Sequence, residues 1–398
     1  MNRGVKSMFC SRVFLFSTCV FPHGSASANY LQYLGQALLT KYSKVVLVSY
    51  GNKKDCEYNA SENEYTYRGI TFECIEYRNK FSQKVTEKCF LGRNMLRYIR
   101  KYKPVESDYF IVYSSDKMVL SPILDYAEKK NIKTAACIVE WFPENLYNGK
   151  SYRQYNEVFE KLYPKFDRLF PISTYIAQRN EVYLEKSFVL PILTDVHEYP
   201  LAQKRRKSNT RRKFIMIANG MMKDQISSVY EMISCMSDKE LENSEFHFKG
   251  IKEKELQAVL PQVYYKQIGK SIFTHGWMSY DELMQLYQDM DFLLLPRETN
   301  QMTLANFPSK VPEIMRFGVI PIVSNVGDYT NKYLKSNENA LIMQGCDAEI
   351  CYEAVKQAIY MEEERLECMS KNARISAEKL FDYRNWSDSI SQTLEQLK

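Results

Sequence analysis

Ala305-Asn306-Phe307-Pro308-Ser309-Lys310-Val311-Pro312-Glu313 stands between two short apolar runs, Phe292-Leu293-Leu294-Leu295-Pro296-Arg297 before it and Val319-Ile320-Pro321-Ile322-Val323-Ser324 after it. Runs this short and this apolar read as strands buried on both faces, the signature of a parallel sheet. The nonapeptide between them opens a predicted helix over about Val311–Phe317. Parallel neighbours need such a crossover, so the stretch reads as one strand-loop-helix-strand unit. The fold class is α/β.

The same pattern spreads outward in both directions. Upstream, strands are expected at Phe214–Ala218, Glu245–Lys249 and Ile272–His275, with helices at Ile226–Met236 and Ser279–Gln288. Downstream, helices run over about Ala348–Lys379 and Tyr383–Leu397. The first half repeats the style, with strands at Val13–Phe21, Val45–Tyr50, Tyr109–Tyr113 and Thr134–Val139. Its helices fall at Asn29–Tyr42, Phe90–Tyr102 and Ile123–Asn131, and the polar, Tyr-rich stretch Asn52–Lys84 reads as a hairpin or loop. Lys204-Arg205-Arg206-Lys207 and Arg211-Arg212-Lys213 mark a basic linker over 201–213, between a first domain at 1–200 and a second at 214–382. The terminal helix, 383–398, carries Trp386, Ile390, Leu394 and Leu397 and is expected to cross back onto the first domain. Two Rossmann-like domains of this kind are expected to bind ligand in a cleft at the carboxyl ends of their strands.

Composition bounds the function. A chain of 398 residues is long enough for two cores, and 45% hydrophobic with 26% charged residues is globular composition. The net charge of +6 is mild and suits anionic small molecules. Ten cysteines lie scattered with no C-x-x-C pair, several inside apolar runs, which reads as reduced thiols of a cytoplasmic protein. Arg3, Lys6, the apolar run Val13–Phe21 and Ala26-Ser27-Ala28 mimic a secretory signal. The β-branched and aromatic content of the run, and its passage through Pro22-His23-Gly24 into a helix, instead fit a first strand. The basic linker has no zinc site or recognition helix beside it, so nucleic acid is not an expected partner. Asp289-Met290-Asp291 spells a metal motif but sits between a helix and a buried strand, so no metal and no cofactor are expected.

The ordered string His275-Gly276, Asp281-Glu282-Leu283, Asp291-Phe292, Arg297, Phe307-Pro308-Ser309-Lys310, Glu313, Gly318-Val319-Ile320-Pro321 and Val326-Gly327-Asp328 resembles glycosyltransferase family 4, of the two-domain GT-B type. The closest flavour is that of bacterial capsule and exopolysaccharide members, over about residues 214–345. Ile217-Ala218-Asn219-Gly220-Met221-Met222-Lys223-Asp224 is similar to the family's strand-to-helix loop near the donor phosphates, although Met221 replaces its usual Arg. The family's E-x7-E pattern would need an acid at Ala305.

This resemblance implies a retaining, metal-independent hexosyltransferase-like enzyme taking a UDP- or GDP-sugar and a glycan or lipid-linked acceptor in polysaccharide biosynthesis. Donor binding falls to Gly220, Lys223, Arg297, Phe307, Pro308, Ser309, Lys310 and Glu313, with Ser309 capping the helix, Arg297 and Lys310 neutralising phosphate, and Glu313 accepting from the ribose hydroxyls. Gly24, Ser25, Glu140 and Trp141 form the acceptor side, and Glu140 joins Arg297, Lys310 and Glu313 as a catalytic candidate. The basic linker could meet the inner membrane surface, where lipid-linked acceptors carry phosphates. Two other readings share the fold: a catalytically silent sugar-binding or scaffold subunit, and a nucleotide-sugar 2-epimerase, which fits four histidines poorly.

Overall fold

The computed structural model describes residues 11–23, 25–75, 90–146, 149–200, 211–217 and 223–397. The chain forms two compact units, one of Met1–Thr194 with Tyr383–Lys398, the other Asp195–Asp382.

The first unit is built on eight strands: β1 (Arg12–Phe21), β2 (Lys44–Gly51), β3 (Glu57–Asn59), β4 (Glu64–Tyr67), β5 (Ile70–Ile75), β6 (Tyr109–Tyr113), β7 (Lys133–Ile138) and β8 (Arg168–Pro171). They lie in the order β3-β4-β5-β2-β1-β6-β7-β8, parallel except for the β3-β4-β5 meander. The run Val13–Phe21 is thus a central strand, parallel to β2 and β6, with Val13, Phe14, Leu15 and Phe16 fully buried. The Tyr-rich stretch holds more than a hairpin. Its β4–β5 turn, Arg68-Gly69, has both φ positive at 50° and 82°, a mirror-image two-residue turn that glycine takes without steric conflict. β5 then joins β2 in parallel. Residues 76–84 of that stretch lie outside the described residues.

Tyr383–Lys398 completes this unit. A short 3-10 turn, Tyr383–Trp386, leads into the helix Ser387–Glu395. Tyr383 stacks on Tyr33 of the helix Ala26–Leu39 at 6.4 Å, Trp386 meets Phe188 edge-on, and Ile390 and Leu394 are buried. Lys41 pairs with Asp388.

The second unit carries β9 (Arg212–Ile217), β10 (Ser244–Lys249), β11 (Ile272–His275), β12 (Phe292–Leu295), β13 (Ile320–Ser324) and β14 (Leu341–Met343) in one all-parallel sheet. Their order is β11-β10-β9-β12-β13-β14, the doubly wound Rossmann arrangement. Phe214 stacks between Phe246 and Phe292, at 5.0 and 5.2 Å, and so welds the three middle strands. The long helix expected after Ala348 is two, Ala348–Ile359 and Glu363–Leu380, broken where Met361 turns into the core.

The second unit begins before the basic run. Arg316, with no exposure at all, donates to Glu198 Oε2 (2.8 Å) and to the Asp195 carbonyl (3.2 Å). Tyr199 packs its ring by Tyr280 and Phe317 and donates to Asp281. Asp195–Pro200, expected in the first domain, is therefore tied to the second. Composition marks solvated charge, whereas this boundary is fixed by one buried guanidinium. Among the described residues no helix is long and apolar enough to cross a membrane, and the eight described cysteines are free thiols, Cys10 and Cys89 lying outside them.

Candidate functional site

Strand order in the second sheet reverses between β9 and β12, the switch point at whose carboxyl ends ligands bind in open α/β sheets. Three charged side chains converge there. Arg297, two residues past β12, is 4% exposed, and Asp224, at the end of the loop that leaves β9, is 7% exposed. Arg297 Nε donates to Asp224 Oδ1 at 2.7 Å, and its Nη1 donates to Asn306 Oδ1 at 3.0 Å. Lys310 Nζ donates to the other carboxylate oxygen of Asp224 and to the Ile217 carbonyl.

The backbone holds this cluster rigidly. Gln225 N–H donates to the Pro296 carbonyl (2.9 Å), joining the two diverging loops. Arg297 N–H donates to Ser324 Oγ (2.9 Å), whose hydroxyl donates in turn to the Gly345 carbonyl (2.7 Å). Burial alone would raise the Asp224 carboxyl, but the Arg297 and Lys310 charges outweigh it and hold it below the usual carboxylate range. Burial lowers the Lys310 ammonium from its ordinary value, Arg297 adds to that, and Asp224 opposes it. Two cations share the one carboxylate of Asp224, and Glu313 acts on Lys310 in the same sense as Asp224.

The nonapeptide supplies position more than direct contact. Phe307, 2% exposed, is wedged edge-on against Tyr329, Tyr333 and Phe381, which anchors the loop in the core. Pro308 and Glu313 are buried and Ser309 is half-buried. The helix spans Lys310–Met315, shorter than expected and starting one residue sooner. Ser309 does not cap it. Its φ and ψ of −58° and −26° are already helical, whereas a capping side chain acts from an extended backbone. Beside Arg297 lies a polar cavity of about 640 Å³, lined among others by Gln225, Ser227, Ser324, Asn325 and Gln344.

In the first unit, Ser25 is extended and its hydroxyl accepts from Ala28 N–H, capping the helix Ala26–Leu39. Glu140 and Trp141 follow β7. The Glu140 carbonyl accepts from Tyr155 OH at 3.3 Å. Trp141 packs against Phe159 and Tyr175, with the Arg179 guanidinium 4.1 Å over its ring. Gly24 and Gly220 lie outside the described residues, and Lys223 is half-buried just before Asp224.

Asp289 and Asp291 both serve Lys213. Asp289 pairs with its ammonium at 2.6 Å, and Asp291, 8% exposed, accepts from its backbone N–H at 3.0 Å. Sequence reasoning missed a histidine pair on adjacent strands. His247 Nδ1 and His275 Nε2 lie 2.9 Å apart, with Glu245 3.4 Å from the far side of His247. Burial, and then His275, push His247 down to about 4, against the pull of Glu245. Burial also lowers His275. Between about pH 6.5 and about pH 4 the unfolded chain therefore binds a proton at His247 that the folded one refuses, and stability falls with falling pH. Melting at about pH 7 and about pH 4.5 should show a larger drop for the parent than for His247→Gln. Equal drops would remove His247 from the account.

Residues 200–376 match the family described as Glycosyl transferases group 1, a stretch that lies within the second unit. By sequence the chain matches no curated protein. Its structure is similar to sucrose-phosphate synthase from Thermosynechococcus elongatus, at 12% identity and TM-score 0.72, covering 97% of this chain and 99% of that one. A glycosyltransferase from Rickettsia africae follows at 11% identity and TM-score 0.68, covering 97% and 98%. Anabaena HepE, solved with UDP and glucose, gives 10% identity and TM-score 0.67, covering 97% and 100%. At such identities the likeness is one of fold, the two-unit Rossmann-like GT-B fold.

Proposed function

We propose that the chain is a retaining, metal-independent hexosyltransferase that takes a UDP- or GDP-sugar and passes the sugar to a glycan or lipid-linked acceptor during polysaccharide assembly of the capsule or exopolysaccharide kind. The observation that carries the reading is the pair Arg297 and Lys310, gathered at the switch point of the second sheet with more positive charge than Asp224 balances. A diphosphate leaving group gains negative charge as the glycosidic bond breaks, and buried cations fixed beforehand stabilise that state with little reorganisation. Lys223 adds charge at the mouth of the same loop, and Glu313 accepts from the ribose hydroxyls. The half-buried Glu140 serves the acceptor side, with Gly24 and Ser25. The enzyme works at the cytoplasmic face of the membrane, touching it through the basic run.

The reading is tested by thermal shift with UDP, GDP and free sugars, since a ligand that binds only the folded state raises the melting temperature. UDP comes first because HepE binds it. One nucleotide is expected to raise the melting temperature by several degrees at about a hundredfold excess over its Kd, and the free sugars to do so weakly. No shift with either nucleotide rejects the donor assignment. Binding without turnover on any acceptor points to the silent subunit, a reading that Ala305, fully buried where the family has an acid, makes specific.

A further inference from the structure

Asp224 has no role in the reading above, yet it touches both cations on which that reading rests. It is 7% exposed, and each of its two carboxylate oxygens faces a different partner: Oδ1 the Arg297 Nε at 2.7 Å, Oδ2 the Lys310 ammonium. Those partners come from separate places in the chain, one from the loop after β12 and one from the first residue of the helix Lys310–Met315. Asp224 itself closes the loop after β9, and its neighbour Gln225 is bonded to the β12 loop through the Pro296 carbonyl. The carboxylate is thus the sole anionic group bonded to both cations among the described residues.

We propose that Asp224 is a positioning residue of the phosphate site: it aims Arg297 and Lys310, and the nucleotide feels it only through them. Two like charges in one buried crevice repel, and a lysine there is pressed to give up its proton. A carboxylate between them opposes that pressure and fixes both side chains along defined hydrogen bonds. The alternative is that Asp224 merely neutralises the cations and competes with the incoming phosphate. The two predict opposite signs. Loss of a competitor tightens nucleotide binding, whereas loss of a positioning group weakens it.

The inference rests on Arg297 and Lys310 meeting the donor phosphates, and a double-mutant cycle separates the two claims. UDP and GDP affinities are measured for the parent, Asp224→Asn, Lys310→Met and the double variant, all checked for an intact melt. Lys310→Met weakening the nucleotide supports the phosphate reading by itself. Asp224→Asn is then expected to weaken binding about tenfold in the parent and by a smaller factor, about threefold, on the Lys310→Met background, where only the aim of Arg297 is left to lose. Tighter binding in Asp224→Asn, or the same loss on both backgrounds, overturns the positioning role and leaves the phosphate reading standing. Unchanged binding in Lys310→Met removes the reading itself. If Asp224→Asn does not fold, Asp224→Glu serves in its place, since it keeps the charge but displaces it by one methylene and should show the same coupling.

Discussion

Arg297→Ala is expected to lower sugar transfer by about 10²–10³-fold, the loss seen when one preorganised donor to a developing oxyanion is removed. Arg297 is held at three points: its backbone N–H by Ser324, its Nε by Asp224 and its Nη1 by Asn306. Its aim is therefore set before any nucleotide arrives, and that is the condition for a large effect on the chemical step. Most of the loss should fall on kcat, because charge on the departing diphosphate is greatest in the transition state. Arg297→Lys keeps the charge but cannot reproduce the planar fork to Asp224 and Asn306, and should recover only part of the rate. Kinetics with a single donor and saturating acceptor decide the matter. Parent-like turnover in Arg297→Ala would detach this cluster from catalysis.

Deleting the chain from Tyr383 onward should lower the melting of the first unit by about 10 °C. Tyr383, Ile390 and Leu394 are buried and Trp386 packs on Phe188, so the deletion strips apolar contacts from the unit. A net loss of about 3 kcal/mol corresponds to a shift of this size for a unit of about two hundred residues. Loss of the segment also bares the face of Ala26–Leu39 on which Tyr33 lies. Hydrogen exchange at β1 and β2 reports on the first unit alone, so the effect is read there. Leu394→Ala, a single buried truncation, is expected to cost about 2–5 kcal/mol in the same readout. Unchanged protection in the deletion variant would make the segment an appendage.

How much of this was legible in the sequence depends on whether the signal is local. Tyr109–Tyr113 and Ile272–His275 were read with the bounds the structure gives, since continuous apolar runs bounded by polar residues have few other fates. β5 was overlooked in a polar, aromatic stretch although Ile70–Ile75 alternates apolar with polar as a strand does, and its pairing with β2 is not a local signal. Arg297 and Lys310 were singled out through motif order. Asp224 was named only as the last residue of the stretch Ile217–Asp224. Its importance lies in three loops meeting, which no spacing along the chain displays. The cap expected of Ser309 failed for a related reason, since residue type suggested it and backbone angles decided otherwise. The histidine pair joins positions 247 and 275 only because β10 and β11 lie side by side.

The first unit is discontinuous, since its last piece, Tyr383–Lys398, follows the whole of Asp195–Asp382 in the chain. Synthesis runs from the amino end, and domains ordinarily fold in the order in which they emerge. Here that order cannot hold to completion. The half made first must wait with the Tyr33 face of Ala26–Leu39 uncovered until the second, contiguous unit has been made. Closing so long a loop slows the final docking far more than it weakens the finished contact. The nascent chain is therefore most exposed to aggregation and to chaperone capture during translation of Asp195–Asp382. A chain ending at Asp382 and released from the ribosome would carry a complete second unit and an unfinished first.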